Sequence, residues 1–333
     1  ASDRRRGRAA GPCRADRSGA LGDDAFYAGA ELYFNRFDGM AVTCDDFVDA
    51  MQEASGKDLT QFRRWYEQAG TPVVTVEKAF DKATGKLELT FLQANPPTPG
   101  QDDKPPLHIP LRLALIDAGH HCDLGNGERS RVIELTQSRQ TMSFGGFDNE
   151  PVVSALRGFS APVRLNMEQS RADLITLIAS DDDPFVSWDA SQRLAYAAID
   201  SASHSLESDY IVALEQVLAS DREDAMKAQL LSLPTEASLA DRAAQAGLVN
   251  VHAIHAAKST VSAGLGSAPA TSLEAMVNAS RDVKEAYAPT AHQRGRRSLV
   301  HTALTFLVQS DTKWLAIARE MYYAATNSAD RLG

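Results

Sequence analysis

The feature that most constrains this chain is a hydrophobic period that changes twice, at Gly70-Thr71-Pro72 and again near Ser170. Before the first change, Leu59, Phe62, Trp65, Tyr66 and Ala69 recur at three- and four-residue steps, which gives a helix one apolar face. Asp58 is a residue type that caps a helix start. Gly70 suits the left-handed position after a helix end, and Pro72 forbids continuation. Beyond Thr71 apolar residues alternate with polar ones, the pattern of half-buried strands. From Ser170 the spacing is helical again. A chain patterned in this way must hold separate α and β layers in sequence, and Asp58–Pro72 reads as the seam between the first two.

Length and composition set the scale. The chain has 333 residues and 44% hydrophobic content, enough for two or three domains. Its formal net charge of −10 argues against a nucleic-acid partner, because neutralising phosphates needs clustered Lys and Arg. No apolar run is long enough for a bilayer, so no membrane partner is expected. Cys13, Cys44 and Cys122 are too few and too scattered for a disulfide framework or a Cys-based zinc site. With no signal-type segment at the start, the expected setting is reducing and cytoplasmic. Residues 1–20 are rich in Arg, Gly and Ala without an apolar face, and read as a disordered or artefactual basic segment rather than an RNA-binding arm.

Three short helices are expected in residues 21–70. Asp23 can cap the first, with Phe26, Ala30, Tyr33, Phe34 and Phe37 on one face. Thr43 caps the second, with Asp45 and Asp46 in its first turn, Phe47, Ala50, Met51 and Ala54 along it, and Gly56 closing it. The Asp58–Ala69 helix completes the set, which is small for an independent core.

Residues 71–167 read as an antiparallel, Ig-like β-sandwich of about seven short strands. Val74 and Val76 open it, Asp81–Gly85 is a hairpin turn before Leu87, Leu89 and Phe91, and residues 95–106 are a proline-rich loop. Leu107, Ile109, Leu111, Leu113 and Leu115 alternate with His108, Pro110, Arg112 and Ala114 in a half-buried strand, where Pro110 suggests an edge or bulge. Further strands are expected at Arg131–Thr136, Gln140–Phe144, Val152–Arg157 and Pro162–Asn166.

Residues 168–333 read as an all-α solenoid or bundle. Pro184 opens a helix with Phe185, Trp188, Ala195 and Ile199 on one side. Others follow at Glu207–Ala219, Arg222–Leu231, Thr235–Ala246, Val251–Gly264, Ser272–Tyr287, Ala291–Val308 and Asp311–Thr326, without a strict repeat.

No zinc-peptidase, nucleophile-elbow, phosphate-loop or dinucleotide motif is present. His252 and His255 have metal spacing at i and i+3 but no third ligand, so packing or solvent contact is the expectation. His120-His121-Cys122-Asp123 offers mixed ligands in a loop, although neighbouring residues rarely converge on one ion. Arg294, Arg296 and Arg297 read as a solvated helix face, with an anionic partner as the alternative. Asp181-Asp182-Asp183 reads as a helix break before Pro184 rather than a cation site.

Glu31–Gly39, Ala41–Met51 and Phe62–Pro72, with Leu107–Pro110, Phe159–Leu165 and Trp188–Leu194, resemble the aminopeptidase N family of M1 zinc metallopeptidases, of the bacterial alanyl-aminopeptidase type. The resemblance covers Leu21 to the C-terminus. It implies that residues 21–70 end a thermolysin-like catalytic domain, that 71–167 are its sandwich, and that 168–333 are the truncated first part of its helical domain. In that family a His-Glu-x-x-His motif and a downstream Glu hold zinc and activate water, a Gly-Ala-Met-Glu-Asn segment holds the substrate amino group, and a Tyr stabilises the oxyanion. No residue here matches these motifs, so no catalytic, cofactor or metal residue is assigned, and zinc and peptide substrates belong to the full-length family. Residues 1–20 stand where the family has an ordered helix, which we read as a shifted frame or alternative start. The resemblance thus implies a fragment of a zinc aminopeptidase, inactive alone, that braces and encloses the active site and self-associates through uncovered apolar helix faces. The alternative is a noncatalytic sandwich-plus-helical-repeat module that binds a protein partner.

Overall fold

The computed structural model describes residues 21–125, 127–201, 208–281 and 285–332. The basic segment 1–20 with Cys13, Glu207 at the start of one expected helix, and positions 282–284 of another lie outside the described residues. The chain forms two compact units, Ala1–Ser170 and Arg171–Gly333.

The first unit opens with α1 (Asp23–Phe37), α2 (Cys44–Ser55) and a single turn, α3 (Arg64–Glu67). Its strands are β1 (Val73–Asp81), β2 (Lys86–Ala94), β3 (Ile109–Asp117), β4 (His120–His121), β5 (Arg131–Leu135), β6 (Arg139–Gly145), β7 (Val152–Ala155) and β8 (Arg164–Met167). α2 starts as its sequence dictates. Thr43 Oγ1 accepts from the Asp46 amide at 3.4 Å while Asp46 Oδ2 accepts from the Thr43 amide at 2.7 Å, a capping box, and Gly56 closes the helix at φ 66°. α1 differs from expectation at both ends of its reading. Gly22 is the N-cap and Asp23 is the first helical residue, where its charge meets the helix dipole. Phe34, expected on the packed face, is 64% exposed. Leu21, Val48, Met51, Leu59 and Phe62 form the core of this segment, with Phe26, Phe47, Trp65 and Tyr66 against it.

The helix expected over Asp58–Ala69 is cut down to the four residues of α3. The Asp58 carboxylate accepts from the Thr60 amide at 2.9 Å in a local turn rather than capping a helix. The Trp65 and Tyr66 amides donate to Phe62 and Arg63, three residues back, in a tightened turn. Gln61, Arg64, Trp65 and Gln68, spaced at i, i+3, i+4 and i+7 as one helical face, send side-chain donors to carbonyls of residues 105–136, while the local Asp58 turn and the extended backbone of Gln68 (ψ 127°) bound the helix on either side.

Two sheets make the sandwich. One runs β6-β2-β1-β8, and the other is built around β3, which pairs with β4, β5 and β7. The expectation of purely antiparallel pairing fails at one place, because β8 runs parallel to β1 through Val73–Val76 and Arg164–Met167. β8 arrives by a crossover rather than a hairpin, so nothing forces it antiparallel. β3 is buried on both faces rather than one. Ala114 and Ile116 are as enclosed as Leu111 and Leu113, because the Phe62–Trp65 segment and the Leu156–Ser160 turn cover the end and outer side of the strand. Pro110 sits where only β5 pairs with β3, since β7 reaches no further than Leu113. His120 and His121, read as a loop, are the return strand β4 after a turn at Ala118-Gly119.

The second unit contains α4 (Arg171–Ser180), α5 (Pro184–Asp200), α6 (Ser208–Ala219), α7 (Asp224–Leu231), α8 (Glu236–Ala246), α9 (Val251–Ser267), α10 (Ala270–Arg281), α11 (Ala291–Ser310), α12 (Lys313–Ala324) and α13 (Ser328–Leu332). Asp183 caps α5, its Oδ1 accepting from the Phe185 and Val186 amides at 3.1 and 3.0 Å with Pro184 in the first turn. The buried face of α5 includes Val186, Ala190, Leu194, Ala195, Ala198 and Ile199, so Ala195 and Ile199 of the expected face are buried, whereas Phe185 and Trp188 are only half-buried and Ser187 and Ser191, which find buried carbonyl partners, face inward instead. α11 is the hub, packing against α7, α9, α10 and α12. No helix among the described residues is long and apolar enough to cross a membrane.

Two glycines let α11 approach its neighbours. A Cβ on Gly266 of α9 would stand 2.1 Å from the Phe306 carbonyl oxygen, and one on Gly295 would stand 2.8 Å from the Ala225 amide nitrogen. Both obstacles are backbone, so the helices must separate to admit a methyl group. Gly266→Ala is expected to cost at least ~2 kcal/mol in urea unfolding followed by helical circular dichroism, while Gly145→Ala, which meets open space, stays within ~0.5 kcal/mol.

Candidate functional site

Two places gather polar side chains. The first is the join between the helical segment and β3. Trp65 Nε1 donates to the His108 carbonyl at 2.7 Å, and the Phe62 ring meets the His108 imidazole edge-on at 6.2 Å. His108 is buried, and its Nε2 lies 3.9 Å from Glu134 Oε2, beyond hydrogen-bond reach. Burial pushes the imidazole below its ordinary value; Glu134 opposes the shift, and Lys57 reinforces it. A neutral imidazole wedged between an aromatic ring and a strand is a packing element.

The second is a groove of about 370 Å³ in the helical unit, bordered by α11, α12 and α13. Arg281 Nη2 donates to Glu320 Oε2 at 2.6 Å, and Arg296 Nη2 to Glu285 Oε2 at 3.0 Å. Arg297 is the most enclosed of the three arginines, with 15% of its side chain exposed. Its Nη1 donates to Gln293 Oε1 at 3.3 Å and its guanidinium lies 5.2 Å from the Tyr287 ring centre. Its Nε is 3.7 Å from Asp330 Oδ1, an ion pair without a hydrogen bond. His301 also lines the groove; burial holds its imidazole below the usual range, opposed by Asp330 and reinforced by Arg297.

The residues singled out in the sequence fare differently. Of the arginine cluster, Arg294 alone is exposed, while Arg296 and Arg297 turn inward to face Glu285 and Asp330, so the solvated-face reading holds for one residue of three. The partners lie on the flanking segments, a distance in sequence at which charge patterning carries no signal. His252 and His255 are both exposed, and His255 Nδ1 pairs with Glu236 Oε1 at 2.8 Å. Among the described residues His252, His255 and Glu236 do not come together as a ligand set. Asp123 turns away from its neighbours, with Oδ1 accepting from the Gly125 and Gly127 amides at 2.8 and 3.0 Å in a local loop. Asp183 is spent on the α5 cap, as a helix break requires.

Comparison with known proteins follows the same division of the chain. Residues 70–168 match the family described as domain of unknown function DUF3458, Ig-like fold, and residues 171–333 match DUF3458_C, described as ARM repeats. Aminopeptidase N of Escherichia coli K12 is 35% identical over 325 residues, which cover 94% of this chain and 37% of that protein. Aminopeptidase N of Haemophilus influenzae is 42% identical over 177 residues, 52% of this chain and 20% of that one. The crystal structure of Legionella pneumophila aminopeptidase A in complex with aspartic acid shares the fold, with a TM-score of 0.81 at 21% identity over 93% of this chain and 36% of that chain. The chain therefore spans only 37% of the length of the Escherichia coli relative.

The His108 geometry sets a pH dependence. Its folded value lies below the unfolded value of 6.5, so the unfolded chain takes up the proton first. Its contribution to stability is complete above pH 6.5 and declines as pH falls below that value, levelling off below the folded pKa. Urea midpoints recorded from pH 7.5 to 5.0 should fall less steeply for His108→Gln than for the parent chain, since Gln cannot titrate in that range.

Proposed function

This chain belongs to the aminopeptidase N family, as the stretch that carries its Ig-like and ARM-repeat domains, and from that premise we propose that its role is structural. In this reading residues 21–70 are the end of a catalytic domain, the sandwich braces that domain, and the helical unit walls off the active site so that only small peptides enter. The observation that carries the proposal is the exposed apolar side chains of α1 and of the turn that follows it. The segment's own core is closed by Val48, Met51 and Phe62, yet Tyr27, Phe34 and Met40 remain 54%, 64% and 62% exposed. Large apolar side chains left outside a completed core mark a surface that meets another body.

The chemistry would be supplied by other residues of the whole enzyme. Zinc, when bound there, activates water and polarises the peptide carbonyl. Among the described residues His252 and His255 gain no third ligand, and the Asp123 carboxylate is used by its own loop. Cys44 and Cys122 as free thiols support a reducing, cytoplasmic setting.

The purified chain is expected to leave L-alanyl p-nitroanilide uncleaved and to retain no stoichiometric zinc, measured by a chromogenic assay and by metal analysis after gel filtration. Hydrolysis accompanied by one bound zinc per chain overturns the proposal. Sedimentation should also show self-association that weakens at least several-fold in the double variant Phe34→Ser, Met40→Ser. A parent chain that is a monodisperse monomer with one specific protein partner would favour the stand-alone binding module instead.

A further inference from the structure

We propose that β6 pairs with β6 of a second copy, antiparallel about a two-fold axis, so that the sheet β6-β2-β1-β8 continues across a homodimer. The argument starts from the backbone groups that β6 leaves over. Its register against β2 runs from Lys86–Gly145 to Leu92–Arg139. The Gln93 amide donates to the Ser138 carbonyl at one end of this ladder, and the Gly146 amide to the Gly85 carbonyl at the other. Bonded and unbonded pairs alternate along an antiparallel ladder, so Gln140, Met142 and Phe144 are the residues that turn their amides and carbonyls toward β2. Those of Arg139, Thr141, Ser143 and Gly145 point off the edge of the sheet, and none of them takes a hydrogen bond among the described residues.

An open edge is a template for another strand, and folded chains blunt it with charge, proline or brevity. The other edges are blunted in these ways. β8 and β7 have four residues each, the first containing Arg164 and the second preceded by Pro151. β5 carries Arg131 and Glu134, and β4 has two residues. β6 has seven, and from Gln140 to Phe147 no residue is charged and none is proline.

The spacing of the outward groups makes the strand its own complement. Outward residues must meet outward residues, and the register that uses all of β6 is centred on Met142. It sets Thr141 opposite Ser143 and Arg139 opposite Gly145, each pair exchanging both its bonds, and Met142 opposite its own copy. The strand's one charge thereby faces a glycine that has open space where a Cβ would stand, and no like charges meet. Arg139, Thr141, Ser143 and Gly145 are all exposed, and on their face the hydroxyls of Thr141 and Ser143 come together as a favourable cross-strand pair. This edge shares no residue with α1 and does not depend on the association proposed for Phe34 and Met40.

The test uses the full chain with Phe34→Ser and Met40→Ser, so that association through α1 is removed, and with Cys13, Cys44 and Cys122 replaced by serine. Sedimentation up to about 1 mM protein, the range an interface this small calls for, is expected to show a reversible monomer–dimer equilibrium. Ser143→Pro removes an amide that has no partner within the chain. It should weaken dimerisation at least about tenfold while circular dichroism is unchanged. Ser143→Lys, which keeps the amide and adds a charge close to the two-fold axis, serves if the proline variant does not fold. The register is read by disulfide formation in a glutathione buffer. Met142→Cys should close to a covalent dimer, because opposed residues of an unbonded pair stand about 4.5 Å apart between Cα atoms. Thr141→Cys, whose two copies are offset along the strands by more than a disulfide spans, should not. A chain that stays monomeric throughout overturns the proposal. So does a dimer that the Ser143 variants leave unchanged, or one that cross-links through Thr141→Cys as readily as through Met142→Cys.

Discussion

The bonds from the Gln61–Gln68 segment to the carbonyls of residues 105–136 are the interaction on which the first unit depends. The loop from Asn95 to Pro106 contributes prolines that cannot donate, so its backbone presents carbonyls in excess of amides. Buried carbonyls without partners are costly. Gln61 donates to Pro106 and Thr136 at 3.1 and 2.7 Å, Arg64 to Pro106 at 2.5 Å, and Gln68 to Pro105 at 2.9 Å. The traffic runs back as well. Gln101 Nε2 donates to the Glu67 carbonyl, its Oε1 accepts from the Ala69 amide, and Lys104 Nζ donates to the Ala69 carbonyl. The end of α3 is therefore capped by the loop and the loop is satisfied by the helix. Gly70, with φ 93° and a notional Cβ 3.3 Å from Thr98, is a fixed corner inside this mesh rather than a free hinge.

That mesh marks the border of what the sequence discloses. Thr43-x-x-Asp46, Asp81–Gly85 and Asp183-Pro184 each specify their structure through partners at most a few residues away, and all three are read from the chain without knowledge of the fold. The Asp58–Ala69 stretch has equally good helical spacing and yet forms only one helical turn. Its side chains bond to acceptors some forty to seventy-five residues downstream, which the local sequence does not disclose. The second face of β3 was illegible for the same reason: Pro110, Arg112 and Ala114 look like a solvent face until one knows that other chain covers them. β8 carries ordinary strand residues, and only its crossover path sets it parallel to β1.

The groove repeats the lesson with charges. Three arginines near the start of α11 are plain in the sequence, and their surplus suggests an exposed basic face. Glu285, Glu320 and Asp330 come from three separate segments, and their arrival turns a basic face into a balanced, partly closed network. Tyr287 and His301 carry no motif at all, and enter the site because their segments border Arg297.

Within the helical unit the same device as at the seam sets register. Ser191 Oγ donates to the Leu230 carbonyl at 2.6 Å and lies 3.1 Å from the Tyr210 hydroxyl, while Gln192 Nε2 donates to the Ser232 carbonyl at 2.7 Å. These carbonyls end α7, so α5 supplies caps beside the one that Ser232 gives to the Gln229 carbonyl. Full burial pushes the Tyr210 hydroxyl up to about 12, which keeps it a proton-bearing donor at any physiological pH. Apolar contacts alone would let α5 slide or turn against α7 at little cost, since one aliphatic surface resembles another. A hydroxyl and an amide that must each meet one carbonyl admit a single register. Hydrophobic burial drives the elements within each unit together, and side-chain bonds to otherwise unpaired carbonyls decide which arrangement results.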